Sequence, residues 1–186
     1  MKRFDIQNNG NNTGEYPLFF GKPLGLFDIA NEPYPEIEKL DDDQQALYWK
    51  ANDYDLTQDA VELSNMSENN RGLVVENLSM QMAGDSLAAG LISDLFSPIM
   101  SNNAATSLVA YWSFSETVHA KAYARIASEA FSDTNELMER AKNSEKMLKR
   151  LDIIRHTFQQ HKVMLGSFNE ESYELNPSYY QKTVLK

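Results

Sequence analysis

The sequence contains no cysteine among its 186 residues. This absence excludes disulfide bonds, thiolate nucleophiles and thiolate-ligated metal, so any metal must be held by carboxylates and histidines, which suit iron or manganese. Basic residues are also few, because 17 Lys and Arg face 27 Asp and Glu and give a formal net charge of −10. This charge argues against a primary role on nucleic acid or on an anionic membrane surface, both of which need basic footprints.

Long apolar runs are missing as well. No stretch of eighteen apolar residues occurs, and the opening MKRFDIQNNGNNTGEY has no apolar segment typical of a signal peptide, so nothing indicates membrane insertion or secretion. We expect a cytoplasmic protein. Apolar residues make up 42% of the chain and charged residues 24%, as in an ordinary soluble globular domain.

The spacing of apolar residues predicts an all-α chain. Residues 1–15 are polar and are expected to form a mobile tail, and residues 16–186 the folded part. The stretch LFFGKPLGLF predicts an extended arm packed on a helical body. Helical periodicity with flanking cap and proline signals predicts one short and three long helices, at about 35–49, 67–97, 103–130 and 136–166.

Residues with metal-binding chemistry share one face of the second predicted long helix. Glu116, His119 and Tyr123 in WSFSETVHAKAY are spaced by three and seven residues, which places them within an arc of about 60°. A carboxylate and an imidazole one turn apart can bind one transition-metal ion, and Glu-x-x-His on a bundle helix is the half-site of di-iron carboxylate proteins. Asp85, on the apolar stripe of the preceding helix, offers a third ligand to the same interior.

Each of these residues also has a structural interpretation. Asp85 taken alone is better explained by an ion pair with Lys or Arg, since structural ion pairs outnumber functional sites. Glu116 and His119 taken alone could equally form a buried hydrogen bond beside a core tyrosine. The occurrence of all three ligand types in one interior favours metal binding.

The remaining aromatic and histidine residues are less specific. Trp49 and Trp112 are the two tryptophans, and either could be a core aromatic. Asp152 and His156 are four residues apart and could chelate a metal, but the mixed charges around them and His161 favour a solvated helix face.

The segments YWSFSETVHAKAY, AGDS at 83–86 and LFFGKP at 18–23 closely resemble the small (β, or R2) subunit of class I ribonucleotide reductase. The separations also agree, since Trp49 to Asp85 spans 36 residues (85 − 49) and Asp85 to Glu116 spans 31 (116 − 85). The similarity covers nearly the whole chain from about residue 17. The resemblance implies a ferritin-like helical bundle with a di-iron centre, in which manganese is a possible substitute.

The resemblance also implies a role for each ligand and for the phenol. Asp85, Glu116 and His119 would bind the first iron, with Glu116 bridging toward the second. Tyr123 would be oxidised to a stable tyrosyl radical when the reduced centre reacts with dioxygen.

Two tryptophans receive roles in the same way. Trp49 matches the residue that relays an electron to the site and begins the radical path to the large subunit. Trp112 matches an aromatic residue beside the metals.

The chain departs from the family pattern in its second half. A glutamate on one helix and another Glu-x-x-His on the next are expected from about eighty residues after Tyr123, but the chain ends 63 residues after it (186 − 123) and contains no second Glu-x-x-His. We therefore expect an incomplete bundle, the amino-terminal half of a small subunit, arising as a split subunit, a truncated gene or a cut fragment.

Such a half-subunit would need partners to reduce ribonucleotides to deoxyribonucleotides. These are a complementing carboxy-terminal β fragment, a β homodimer and the large (α) subunit, with no nucleic acid and no membrane. Two other functions stay open: a non-catalytic half-subunit acting only as an interaction partner, and a homodimeric di-metal oxidase or metal-storage protein.

Overall fold

The computed structural model describes residues 4–8 and 18–166. Within these residues the secondary structure is helical apart from isolated bridges, and the α-helices, in chain order, are α1 (Pro35–Ala46), α2 (Thr57–Asn65), α3 (Glu68–Phe96), α4 (Asn103–Glu129), α5 (Glu136–Asn143) and α6 (Glu145–Gly166). The sequence after residue 166 is polar around Pro177 and predicts a connector. This segment, and residues 1–3 and 9–15 of the predicted mobile tail, lie outside the described part of the chain.

The chain divides into two compact units. The first comprises Met1–Leu47, Leu91–Trp112 and His156–Lys186, and the second comprises Tyr48–Gly90 and Ser113–Arg155. None of the helices in the described ranges is both long enough and apolar enough to cross a bilayer.

The extended arm predicted near residue 20 belongs to the first unit. The amide of Phe20 donates to the carbonyl of Ile99 at 2.8 Å, and the amide of Ser101 donates to the carbonyl of Leu18 at 2.9 Å. Phe20 is only 3% exposed and has a φ of 60°, a conformation that bulky residues rarely adopt. Burial of its ring and the two hydrogen bonds hold the arm in this conformation.

The start of α4 is a fully buried cap. Asn102 accepts a hydrogen bond from the amide of Ala105 through Oδ1 at 2.8 Å, which satisfies one of the unpaired amides of the first turn. Its Nδ2 donates to Glu32 Oε1 at 3.0 Å. The neighbouring Asn103 donates from Nδ2 to two carbonyls of the arm, at 3.1 and 3.0 Å. The cap signal that the sequence shows before this helix, at residues 101–103, is confirmed at Asn102.

The core of the second unit lies where α2, α3, α4 and α5 meet. Its buried members are apolar side chains from these helices and from the turn after α4: Leu63, Val75, Ala127, Ala130, Phe131 and Leu137. Arg71 at the start of α3 spans two parts of this core. Its guanidinium lies 5.5 Å from the centre of the Phe131 ring and forms a bidentate ion pair with Glu136 at the start of α5.

Two helical features differ from the sequence prediction. The nine-residue α2 was not predicted, although its Leu63 is buried in the core. The single helix predicted over 136–166 is wrong, because the chain breaks at Ser144, whose ψ of 106° is extended. The Ser144 hydroxyl accepts a hydrogen bond from the amide of Met147 at 3.4 Å, so this residue ends α5 and caps α6.

Candidate metal centre

The site residues belong to the second unit and lie on two neighbouring helices. Asp85 lies on α3, and Glu116, His119 and Tyr123 lie on one face of α4. One turn before the ligands, the hydroxyl of Ser113 donates to the carbonyl of Ala89 on α3 at 2.8 Å. This small, buried side chain lets the two helices approach each other and fixes how the ligands face one another.

Three potential ligand atoms converge between these helices. His119 Nδ1 lies 3.3 Å from Glu116 Oε2 and 3.7 Å from Asp85 Oδ2, and one donor atom from each residue lies within 4.8 Å of the others. The side chains are partly buried. Two carboxylates and one imidazole form the ligand set that suits iron or manganese, so the residues present fit the metal that the sequence predicts.

The charges of the site favour binding of a cation. Burial, and next the charge of Glu116, raise the pKa of Asp85, while His119 and a hydrogen bond from Tyr123 act in the opposite direction. Two carboxylates thus approach each other in a partly buried position without a Lys or Arg among the causes of this shift. A bound divalent ion would compensate both charges.

Tyr123 is joined to the ligand set by its hydroxyl. Burial, followed by the charge of Asp85 and hydrogen bonding between the phenol and the Asp85 carboxylate, raises the pKa of Tyr123. The phenol is therefore held protonated next to a carboxylate that can accept its proton.

Trp49 lies against the site on the side of His119. The two rings are stacked, with centroids 5.7 Å apart and an interplanar angle of 20°. On its other side Trp49 meets the ring of Tyr54 in an edge-on contact at 5.8 Å. The structure thus brings together five of the six predicted site residues: Trp49, Asp85, Glu116, His119 and Tyr123.

The sixth, Trp112, belongs to the first unit. Its side chain is 43% exposed and its ring lies 6.3 Å from that of Phe96. Its predicted place beside the metals stays a prediction.

The other two histidines are engaged along their own helix. A ring nitrogen of His156 lies 2.9 Å from the amide nitrogen of Gln160, and one of His161 lies 2.8 Å from the carbonyl of Thr157. Asp152 accepts from Arg155 at 2.6 Å. These contacts agree with the solvated helix face expected from the sequence.

Sequence reasoning missed Arg125, two residues after Tyr123. Its guanidinium donates to the carbonyls of Ala51 and Tyr54, the latter at 2.8 Å, and pairs with Glu129 on α4 at 2.7 and 2.9 Å. Arg125 therefore links the segment that contains Trp49 and Tyr54 to α4, the helix that contains His119. The only sequence signal was an arginine just off the inward stripe of α4, which alone predicts a solvated charge.

Comparison with protein families gives one extended match. The family described as ribonucleotide reductase, small chain, matches residues 26–180. Among curated relatives, the ribonucleoside-diphosphate reductase subunit beta of Buchnera aphidicola subsp. Acyrthosiphon pisum is 30% identical over 116 residues, which are 62% of this chain and 31% of that protein. The subunit of the same description from Enterobacteria phage T4 is 26% identical over 138 residues, or 74% of this chain and 36% of that protein.

Solved structures show the same fold at lower identity. The ribonucleotide reductase R2 subunit from Clostridium botulinum aligns with a TM-score of 0.66 and 16% identity over 72% of this chain and 43% of that one. A structure described as a class I ribonucleotide reductase from Bacillus halodurans aligns with a TM-score of 0.63 and 17% identity over 86% and 51%. The expected all-α, ferritin-like fold is confirmed. The chain spans about a third of the length of the curated relatives it matches, which fits an amino-terminal part of such a subunit.

Proposed function

The chain belongs to the ribonucleotide reductase small-chain family, and from this premise we propose that it supplies the ligands of one iron and the radical tyrosine of a ribonucleoside-diphosphate reductase. One observation carries the proposal. The donor atoms of Asp85, Glu116 and His119 converge, and the phenol of Tyr123 lies close enough to Asp85 for the carboxylate to raise the pKa of the phenol.

Iron would be held by Asp85, Glu116 and His119, with manganese as the alternative metal. When bound, it supplies the one-electron redox chemistry toward dioxygen that carboxylate-bound iron pairs provide. The two carboxylates would offset the charge of the ion, while His119 contributes a neutral nitrogen ligand. Crowding of the carboxylates in the metal-free protein means that the protein is arranged for a cation before the cation binds.

Tyr123 would lose one electron and one proton to become a neutral phenoxyl radical. A metal held by Asp85, Glu116 and His119 would supply the oxidant for this electron, and the nearby carboxylate of Asp85 would be available to accept the proton. The phenol is only partly exposed and the protein has no cysteine, so water and thiols have limited access to the radical.

Trp49 would pass an electron to the site. Its ring is in contact with that of His119, so the electron would enter through a ligand without crossing a gap filled by solvent. Ligands of a second iron would come from residues beyond this sequence, since it contains no second Glu-x-x-His. The overall reaction, reduction of ribonucleotides to deoxyribonucleotides, would be shared with a large subunit, and a β homodimer would be the working form.

The test is the substitution Tyr123→Phe in protein assembled with a fragment that bears the second glutamate and Glu-x-x-His. Phe keeps the ring volume and loses one oxygen, so folding and iron content should be retained. The tyrosyl radical, measured by electron paramagnetic resonance after addition of ferrous iron and dioxygen, should disappear.

Tyr111→Phe is the matched control, because Tyr111 lies on the same helix outside the ligand cluster, and it should keep the radical. A radical of unchanged yield and line shape in Tyr123→Phe would move the radical to another residue and contradict the proposal.

A further inference from the structure

Three aromatic rings form a continuous row from the metal ligands to the surface. The His119 ring stacks on Trp49 at 5.7 Å, and Trp49 contacts Tyr54 at 5.8 Å with an interplanar angle of 73°. Tyr54 is 59% exposed, whereas Trp49 and His119 are partly buried. Tyr54 is thus the outer end of the row.

The segment that carries this row is held in place by several polar contacts. Asp53 accepts a hydrogen bond from the amide of Lys50 at 2.7 Å and closes a short turn. Arg125 then binds two carbonyls of the same segment, those of Ala51 and Tyr54. Carbonyls at the end of such a turn have no helical partner, so the guanidinium satisfies them and fixes the backbone of both aromatic residues relative to α4.

We propose that Tyr54 is a further relay residue, through which an electron enters the row from the surface and reaches Trp49. The proposal rests on the proposed function, which makes Trp49 an electron donor to the site. Indole and phenol are the protein side chains most readily oxidised by one electron, apart from thiols, and this chain has no thiol. An exposed phenol in ring contact with the indole is therefore the available next donor.

The step balances within these two side chains. Oxidised Trp49, which has lost one electron, takes one electron from Tyr54 and is restored. The phenolic proton of Tyr54 passes to water at the exposed end of the ring, which leaves a neutral phenoxyl radical on Tyr54. An external one-electron donor, or an oxidisable side chain of a partner docked over this surface, then gives one electron to Tyr54, which takes a proton back from water and returns to the phenol.

The test generates the oxidised indole without any metal. In a Trp112→Phe background Trp49 is the only tryptophan, and pulse radiolysis with the azide radical oxidises it. Transient absorption then follows decay of the indolyl radical and growth of a phenoxyl radical. Tyr54→Phe should slow this transfer by more than about tenfold, a rise of more than about 1.4 kcal/mol in the barrier, because Phe keeps the ring contact but cannot be oxidised.

Tyr48→Phe is the matched control. Tyr48 is adjacent to Trp49 in sequence and is also exposed, but its ring pairs with Phe114 at 5.8 Å. Electron transfer to oxidised Trp49 should be as fast in the Tyr48→Phe variant as in the Trp112→Phe background. An unchanged rate in Tyr54→Phe, or equal slowing in both variants, would overturn the assignment.

Arg125→Ala tests how the row is positioned. Loss of the two carbonyl contacts should slow the transfer and raise the solvent access of Trp49, measured by acrylamide quenching of its fluorescence. Arg155→Ala removes the same charge from an exposed residue that bonds Asp152 on its own helix, and should change neither quantity. An unchanged transfer rate in Arg125→Ala would show that Arg125 does not position the row.

Failure of this inference is distinguishable from failure of the proposed function. Pulse radiolysis needs no iron, so a chain that shows the Tyr54 phase but never forms a radical on Tyr123 would contradict the proposed function alone. A chain that forms the Tyr123 radical but lacks the Tyr54 phase would contradict the relay alone.

Discussion

Two polar clusters in this protein contrast in how their hydrogen-bonding and charge requirements are met. The cluster at the start of α4 in the first unit is fully buried, and the two asparagine side chains find defined partners there. The cluster of Asp85, Glu116 and His119 in the second unit is partly exposed, and burial together with the nearby charge of Glu116 raises the pKa of Asp85.

The difference separates a structural use of polar groups from a chemical one. Buried polar groups that are satisfied by the protein itself stabilise one conformation and have nothing left to offer a ligand. Carboxylates that the protein leaves close together cost stability at neutral pH, and this cost is recovered when a cation binds. The first cluster should therefore be sensitive in folding experiments and the second in metal-binding experiments.

The largest expected effect is on metal binding. Glu116→Ala and His119→Ala each remove one of three converging ligands, so the affinity of the assembled protein for iron should fall by more than about 100-fold, beyond the loss typical of residues that only support a ligand. Isothermal titration and metal analysis measure this. His156→Ala, which removes a histidine from another helix, should leave the affinity unchanged. Unchanged iron content in both ligand variants would mean that the metal is held elsewhere.

A smaller effect is expected on folding when the other cluster is changed. Asn102→Asp keeps the oxygen that caps α4 but replaces the amide that donates to Glu32 with a second buried carboxylate. The free energy of unfolding should fall by about 1–3 kcal/mol, measured by chemical denaturation.

The control is Asn143→Asp, since Asn143 also donates to a glutamate, Glu139, but on the exposed surface. Asn143→Asp should lower the free energy of unfolding much less than Asn102→Asp does. If the free energy of unfolding fell equally in the two variants, burial would not be the cause of the loss. If Asn102→Asp also lowered the affinity for metal, the two clusters would not be functionally separate.

The smallest expected effect is on how the folding stability of the metal-free chain depends on pH. Burial and Glu116 raise the pKa of Asp85 above its ordinary value of 3.8, so the folded metal-free chain binds this proton more tightly than the unfolded chain does. Its stability should therefore fall as the pH rises from the ordinary value through the raised one. Asp85→Asn removes this dependence and should stabilise the metal-free chain modestly at neutral pH, with an advantage that vanishes in acid.

Thermal unfolding across this pH range measures the effect. Asp152→Asn, the same substitution at an exposed position, is the control and should not stabilise the metal-free chain at neutral pH. A destabilised Asp85→Asn chain at neutral pH would indicate that the carboxylate is satisfied without a cation.

Much of the fold and most of the site followed from the sequence. The long helix α3 ends just before Pro98 and α4 begins at its predicted cap, because backbone chemistry at these points is local. The convergence of Glu116 and His119 follows from helical spacing alone. Asp85 could be identified because its carboxylate lies on an otherwise apolar stripe of the helix.

The missed features depend on contacts between distant segments or on weak local signals. The apolar pattern continues across Ser144, so periodicity alone could not reveal that the backbone becomes extended there. Arg125 gains its role from carbonyls more than seventy residues away, and no local pattern encodes that partnership. The contact between Trp49 and Tyr54 likewise depends on a short turn whose geometry the sequence does not disclose.

The distribution of the ligands over two helices makes the metal a crosslink. An ion bound by Asp85 and Glu116 would join residues 31 positions apart (116 − 85) and close the hairpin formed by α3 and α4. A covalent crosslink acts mainly by restricting the unfolded chain, whereas this ion would stabilise the hairpin because it binds the folded ligand set and not the unfolded chain. Unlike a covalent bond, it would be reversible, so a chelator would act on this hairpin as a mild denaturant and the supply of iron would set how firmly the two helices are joined.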